Sequence, residues 1–238
     1  MSLILSALSK KPFAVVGHRG AAGLALENTL TAVQKALELG VEIVEVDLHR
    51  TKDGVLILFH DDNLKRIAGR DDKISNVTYG VLKQVDLNGD YIPTLEEAIE
   101  LIDGKAGLYV DVKDPATVKD ALKLIEEKNA DSWVAIISFY DDVLTMVKTL
   151  NKDVVTGLIY FKPPGRIFDA KKLGAEIVLP KWNIATEKAN RTAHKLKLKV
   201  STWTVNDTSV AIKLAKRGAD GIASDFPDKL KKLQLEFK

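Results

Sequence analysis

Apolar residues along the chain gather into short, almost unbroken runs rich in valine and isoleucine. Each run is followed by a longer stretch in which they return every three or four positions. The runs are FAVVG (13–17), VEIVEVDL (41–48), AGLYVDVK (106–113), WVAIISF (133–139), VVTGLIY (154–160), AEIVLP (175–180), LKVSTWTV (198–205) and ADGIAS (219–224). Such runs suit strands buried on both faces, as in a parallel sheet covered by helices. The intervening stretches supply the helices. In ENTLTAVQKALELG (27–40), Leu30, Val33, Ala36 and Leu37 share one face and Gly40 provides the stop. Comparable patterns occupy 94–104, 115–129, 141–151, 185–197 and 207–219. Eight strand–helix units predict a closed (β/α)8 TIM barrel in preference to an open doubly wound sheet, and 238 residues suit one such domain over 1–238.

One apolar run breaks the rhythm. VLILF (55–59) follows the second strand after only TKDG, whereas a parallel crossover needs a dozen residues or more. It must return antiparallel, as a hairpin turning at Asp53 and Gly54. A loop of Lys52 and Asp53 pairs His60 with Glu45, and a loop of Asp53 and Gly54 pairs it with Asp47. Either register predicts that His60, Glu45 and Asp47 share a face, because directly opposed residues project to the same side. Residues 61–92 are polar and lack a sustained period, so they read as a partly irregular insertion over the C-terminal mouth. Pro93 and Thr94 then start the next helix.

Composition narrows the chemistry. The chain has no cysteine, which excludes disulfides, thiolate nucleophiles and zinc–thiolate sites. Its 35 Lys and Arg against 33 Asp and Glu are spread over every helical segment, so no nucleic-acid partner is expected. The slight positive bias favours an anionic small substrate. No apolar run approaches the ~20 residues that span a bilayer. In MSLILSALSKKPF the lysines follow the apolar stretch instead of preceding it, against a signal peptide. A cytoplasmic protein without stable membrane insertion is expected, and its oligomeric state has no signature in the chain.

In a parallel barrel, functional groups collect at the C-terminal ends of the strands. His18 and Arg19 end the first parallel run, Glu45 and Asp47 the second, and Asp111 and Lys113 the third. Three carboxylates on neighbouring strands, without cysteine, suit a hard divalent cation, Mg2+ or Ca2+, better than zinc. One such carboxylate alone would more simply pair with Arg19 or Lys113. His18 and His60 flank the acids and suit general acid and base roles, because imidazole titrates near working pH. Arg19 and Lys113 bring fixed positive charge for a phosphate. Asn28 reads equally as an N-cap, and Glu27 as a partner that orients a histidine or supports the metal. Trp203 fits either a face for the ligand's carbon skeleton or ordinary core. His49 belongs further out, beyond the rim, and His194 in a lysine-rich helix face has no assigned role.

With these residues assembled, the chain resembles the glycerophosphodiester phosphodiesterases, phospholipase-C-like barrels. GHRG, ENTLTAV, VEIVEVDLHRTKDGVLILFHDD, IPTLEEAIELI, YVDVK, ISF, STWTVND and ADGIASDFPD occur in that family's order and approximate spacing across nearly the whole chain. The resemblance implies His18 and His60 as the acid/base pair, Arg19 as phosphate ligand, Lys113 on the substrate side, and Glu45 and Asp47 as ligands of Mg2+, Ca2+ or Mn2+. Asp111 stands where the family usually has glutamate, a departure of one methylene. The substrate implied is a small glycerophosphodiester, cleaved to an alcohol and glycerol 3-phosphate. Rival readings are a non-catalytic or weakly active barrel that binds metal or phosphodiester, and a phospholipase-type enzyme acting on lipids. The latter needs an exposed apolar rim or an amphipathic membrane helix, and neither stands out in the sequence. An aldolase or isomerase barrel would need a Schiff-base lysine or an enolising base instead.

Overall fold

The computed structural model describes residues 2–236. The strands are β1 (Ala14–Gly17), β2 (Ile43–Arg50), β3 (Leu56–Leu58), β4 (Gly107–Val112), β5 (Val134–Ser138), β6 (Val155–Tyr160), β7 (Ile177–Pro180), β8 (Lys199–Thr202) and β9 (Gly221–Ser224). All but β3 are parallel, and the pairing of β1 with both β2 and β9 closes them into an eight-stranded barrel. Helices form in all six segments where the apolar spacing predicts them, and two more, Ile167–Lys172 after β6 and Pro227–Glu236 after β9, lie outside that expectation. Side-chain caps set the start of several. Thr29 accepts from the Ala32 N–H at the start of α2 (Leu30–Glu38), and Thr94 with Glu97 forms a capping box.

Strand alternation sorts the core into two layers. Outward residues such as Val44, Val46 and Val110 pack under the helices, whereas Val16, Ile43, Tyr109, Ile137, Ile159 and Leu179 fill the barrel. By the same parity Glu45, Asp47 and Asp111 point inward, toward the C-terminal end of that filling. The floor is a segment the sequence pattern leaves unassigned. Helix α1 (Leu3–Ala7) caps the N-terminal end of the barrel, with Ile4 and Leu8 fully buried in the inner cluster. Glycines at two strand starts make room for it: a Cβ at Gly107 would lie 2.4 Å from Ile4 Cδ1, and one at Gly221 2.8 Å from Leu8 Cδ2.

The hairpin forms, but in neither expected register. Arg50 pairs with Leu56 and Leu48 with Leu58, so Thr51 stands opposite Val55 across a loop of Lys52, Asp53 and Gly54. The Gly54 N–H donates to the Thr51 carbonyl, and Gly54 takes φ +88, the left-handed step that a three-residue hairpin loop requires. A continued ladder would therefore set His60 opposite Val46, on the wrong face. It reaches the mouth because the strand ends at Leu58 and the chain bends away at His60 and Asp61.

The insertion is better ordered than its polarity suggests. Helices α3 (Lys65–Ala68) and α4 (Tyr79–Leu82) enclose a cluster of their own, in which Ile57 and Phe59 of the hairpin pack with Leu64, Ile74, Leu82, Val85, Leu87 and Ile92. That cluster anchors the segment carrying His60.

Candidate active site

At the C-terminal mouth, His18, Arg19, Glu45, Asp47, His60, Asp111 and Trp203 line one cavity of about 240 Å3. Its deeper wall is apolar, including Tyr109, Ile137, Phe139, Ile159 and Leu179.

The sharp turn after β1 delivers His18 and Arg19. Gly20 sits at φ +82 with its Cα against the backbone of Ala32, where a Cβ would approach within 2.5 Å. Arg19 also adopts the left-handed region, φ +51, held by its N–H on Glu45 Oε2 at 2.8 Å and by the Asn28 N–H on its carbonyl at 3.1 Å. Its guanidinium donates to Glu27 at 2.7 Å, and its Nε lies 3.2 Å from Asp47 Oδ2, without the alignment of a hydrogen bond. Asn28 is not the N-cap, a place Thr29 takes. Buried in the left-handed conformation, it grips Asp47 from both sides: Nδ2 donates to Oδ2 at 2.9 Å and Oδ1 accepts from the Asp47 N–H at 3.0 Å.

The parallel register sets Asp47 directly beside Asp111 and Glu45 beside Tyr109. Three buried acids thus crowd one end of two adjacent strands, and they titrate apart. Burial opposes ionisation of Asp47, but Lys113, at 2.6 Å from Oδ1, and Arg19 outweigh it and hold the carboxyl down at about 2. Burial and the charge of Asp47 push Glu45 up. Burial pushes Asp111 well above the aspartate range; Lys113, 3.9 Å away, only partly opposes this, and Asp47 and Glu45 add to it. Asp111 Oδ1 is buried with no hydrogen-bond partner.

This is a set of hard oxygen donors short of positive charge, which fits a divalent cation in kind. Among the described residues, no three carboxylate or imidazole groups already stand in cation-binding geometry. On Asp47, the ammonium of Lys113 occupies an oxygen such an ion would use.

The imidazoles flank the acids. His18 Nδ1 is 2.6 Å from Asp225 Oδ1, and its Nε2 is 4.0 Å from Glu45 Oε2. Burial lowers its affinity for a proton, but the Asp225 hydrogen bond and the charge of Glu45 outweigh burial, and its pKa is raised above 6.5. His60 is displaced the other way: burial, helped by Lys113 and Arg19, overcomes the attraction of Asp47 and brings it below 6.5. Its Nδ1 lies 2.7 Å from Asp61, and its carbonyl accepts from Lys113 at 2.9 Å. His49 contacts that same carbonyl at 3.1 Å, a peripheral role, while His194 is not merely solvated but pairs with buried Asp220 at 2.8 Å on the barrel exterior. The Trp203 indole donates to the Leu179 carbonyl, fixing its ring at the cavity wall.

Three residues that matter here carry little sequence signal. Asp225 follows the last strand, more than two hundred positions from the histidine it holds, and is itself gripped by Asn206 at 2.6 Å. Asp61 and Arg66 belong to the insertion. Arg66 reaches Asp61 at 2.7 Å and Glu27 at 2.6 and 2.9 Å, so one guanidinium ties together the carboxylates behind His60 and Arg19.

A closed parallel barrel with paired imidazoles, buried acids and two cations at its C-terminal mouth defines a barrel enzyme equipped for an anionic ester. The pattern of the glycerophosphoryl diester phosphodiesterase family matches residues 18–229, and the chain belongs to that family. It is 30% identical to a glycerophosphodiester phosphodiesterase of Caldanaerobacter subterraneus subsp. tengcongensis, over 91% of this chain and 95% of the relative. Among solved structures, a phosphodiesterase of Oleispira antarctica in complex with the product sn-glycerol-3-phosphate superposes with a TM-score of 0.86 at 28% identity, covering 92% of this chain and 95% of its own. A glycerophosphodiester phosphodiesterase of Thermotoga maritima gives a TM-score of 0.81 at 26% identity, covering 93% and 98%.

Proposed function

We propose that the chain hydrolyses glycerophosphodiesters to an alcohol and glycerol 3-phosphate, with His18 and His60 as the proton-transfer pair and a divalent cation held by Glu45, Asp47 and Asp111. The observation that carries this reading is the convergence of two imidazoles on one set of buried acids in a single cavity, with His18 Nε2 4.0 Å from Glu45 Oε2, and their surroundings bias the two rings in opposite directions. A pair of titratable groups driven apart suits one acid and one base at the same pH.

His60, with its lowered pKa, starts neutral and takes the proton from the attacking hydroxyl. His18, raised and hydrogen-bonded to Asp225, starts charged and gives its proton to the departing alkoxide. Arg19 and Lys113 share the growing negative charge of the phosphoryl oxygens, while Trp203 backs the carbon skeleton. Bound Mg2+, Ca2+ or Mn2+ would supply Lewis-acid polarisation of a phosphoryl oxygen, and the unpartnered Asp111 oxygen supports its place there. The solved relative with glycerol 3-phosphate supports the product assignment.

The test is release of glycerol 3-phosphate from glycerophosphocholine with each cation and with EDTA. His18→Ala and His60→Ala are each expected to lower kcat by about a hundredfold or more while unfolding as the parent does. Near-parental rates in both variants would remove the pair from the mechanism.

A further inference from the structure

The two parts of the chain carry opposite charge. Residues 1–160 hold 18 Lys and Arg against 25 Asp and Glu, whereas residues 161–238 hold 17 against 8. The nearly neutral total conceals this division, and such asymmetry points to an anionic partner surface. In the structure the positive excess gathers on one flank of the barrel. Three helices, Ile167–Lys172, Glu187–Lys195 and Thr208–Lys216, follow β6, β7 and β8 in turn. They lie side by side, with Asn190 of the second donating through Nδ2 to the Arg217 carbonyl at the end of the third, at 3.0 Å.

Lys171, Lys172, Lys188, Lys195, Lys216 and Arg217 are exposed on this flank, and none has a carboxylate within 4.0 Å among the described residues. On the acidic part, by contrast, Arg50 is paired with Asp120, Lys65 with Asp71, Arg70 with Asp72, and Lys128 with Glu96 and Glu100. A groove of about 790 Å3 beside the second helix is lined by Lys188, Arg191, Lys195 and Arg217, and of these four only Arg191 is held by an acid, Glu187.

Five of the six unpaired cations are lysines, hydrated point charges that suit a diffuse anionic surface better than the forked contacts arginine makes with single phosphates and bases. They are spread over three adjacent helices, which matches a plane and not a strand. Phe168, in the same helix as Lys171 and Lys172 and 64% exposed, adds an apolar ring of the kind that enters a headgroup layer. Among the described residues no helix is long and apolar enough to cross a membrane, so such an association is peripheral.

We infer that this flank docks on the surface of a bilayer rich in anionic phospholipid. Docking on the side of the barrel leaves the C-terminal mouth open to dissolved substrate, and the inference is independent of the phosphodiesterase reading. Each lysine or arginine brought to such a surface strengthens binding about fivefold, and salt screens the attraction.

The experiment sediments the full chain with phosphatidylcholine vesicles, with and without about one-third phosphatidylglycerol, at about 0.1 M and about 0.5 M NaCl. Binding is expected to the anionic vesicles at the lower salt only. Lys188→Gln/Lys195→Gln/Arg217→Gln should weaken it about a hundredfold, from three cations at about fivefold each. Lys52→Gln/Lys119→Gln/Lys123→Gln lowers the net charge equally from exposed positions elsewhere, and should leave binding within about threefold. Both variants should unfold at the parental temperature. If the first does not, Lys171→Gln/Lys172→Gln/Lys216→Gln on the same flank replaces it, with the same expected loss. No binding to anionic vesicles overturns the inference, as does equal binding to pure phosphatidylcholine or an equal loss in the flank and control variants. Tighter binding to single-stranded DNA than to the vesicles at equal phosphate concentration overturns it in favour of nucleic acid.

Discussion

At the scale of single residues, the site works by setting like groups apart. His18 and His60 have the same intrinsic chemistry, yet Asp225 and Glu45 raise one while burial beside Lys113 and Arg19 lowers the other. The profile of kcat/KM against pH should therefore be a bell, with its acidic limb below 6.5 from His60 and its alkaline limb above 6.5 from His18. Asp225→Asn removes the charge that raises His18, so its alkaline limb should move to lower pH with the acidic limb unmoved. Both histidines were legible in the chain because each follows an apolar strand, but Asp225 was not, since nothing local marks a carboxylate that closes the barrel onto β1. Asp111 offers a second test. Its folded pKa is raised, so its cost to stability grows as pH climbs from the ordinary aspartate value of about 4 and is full above the folded value. In EDTA at neutral pH, Asp111→Asn should stabilise by about 1 kcal/mol or more, roughly 2–4 °C in Tm, and the gain should vanish in acid. Added divalent cation should raise the Tm of the parent more than that of the variant.

At the scale of elements, the hairpin and insertion act as a mount for His60. A two-residue loop would have placed His60 beside the acids through the ladder. The actual three-residue loop shifts the register, and the chain instead bends out of the sheet at His60 onto a mount built by Ile57, Phe59 and the insertion's own apolar cluster. The register escaped a reading of the sequence because TKDG permits several loops, and the choice rests on Gly54 adopting a left-handed step while Val55 N–H bonds Thr51 Oγ1. Arg66 of α3 then links this mount to the turn after β1. Arg66→Met should lower kcat by about tenfold. It should also shift the acidic limb upward, because an unpaired Asp61 holds the His60 proton more strongly. With Arg66 nearly half exposed, at 47%, stability should change by less than about 1 kcal/mol. A fall in Tm that accounts for the lost activity would assign Arg66 a purely structural role.

At the scale of the molecule, the barrel separates stability from chemistry along its axis. Helix α1 closes the bottom with Ile4 and Leu8, while the imidazoles and buried acids stand at the C-terminal mouth. Ile4→Ala should cost about 2–4 kcal/mol, lowering Tm by on the order of 10 °C, with kcat at 25 °C unchanged. A comparable loss of kcat would show that floor and mouth are coupled. The sequence by itself determined the eight-fold alternation, the strand-end acids, both imidazoles and the family, because apolar periodicity and contiguous motifs are local properties of a chain. Only the tertiary structure decided the hairpin register, the Asp225–His18 and Arg66 bridges and the floor helix. Each depends on which distant segments closure of the barrel brings side by side, and spacing along the chain carries no record of those distances.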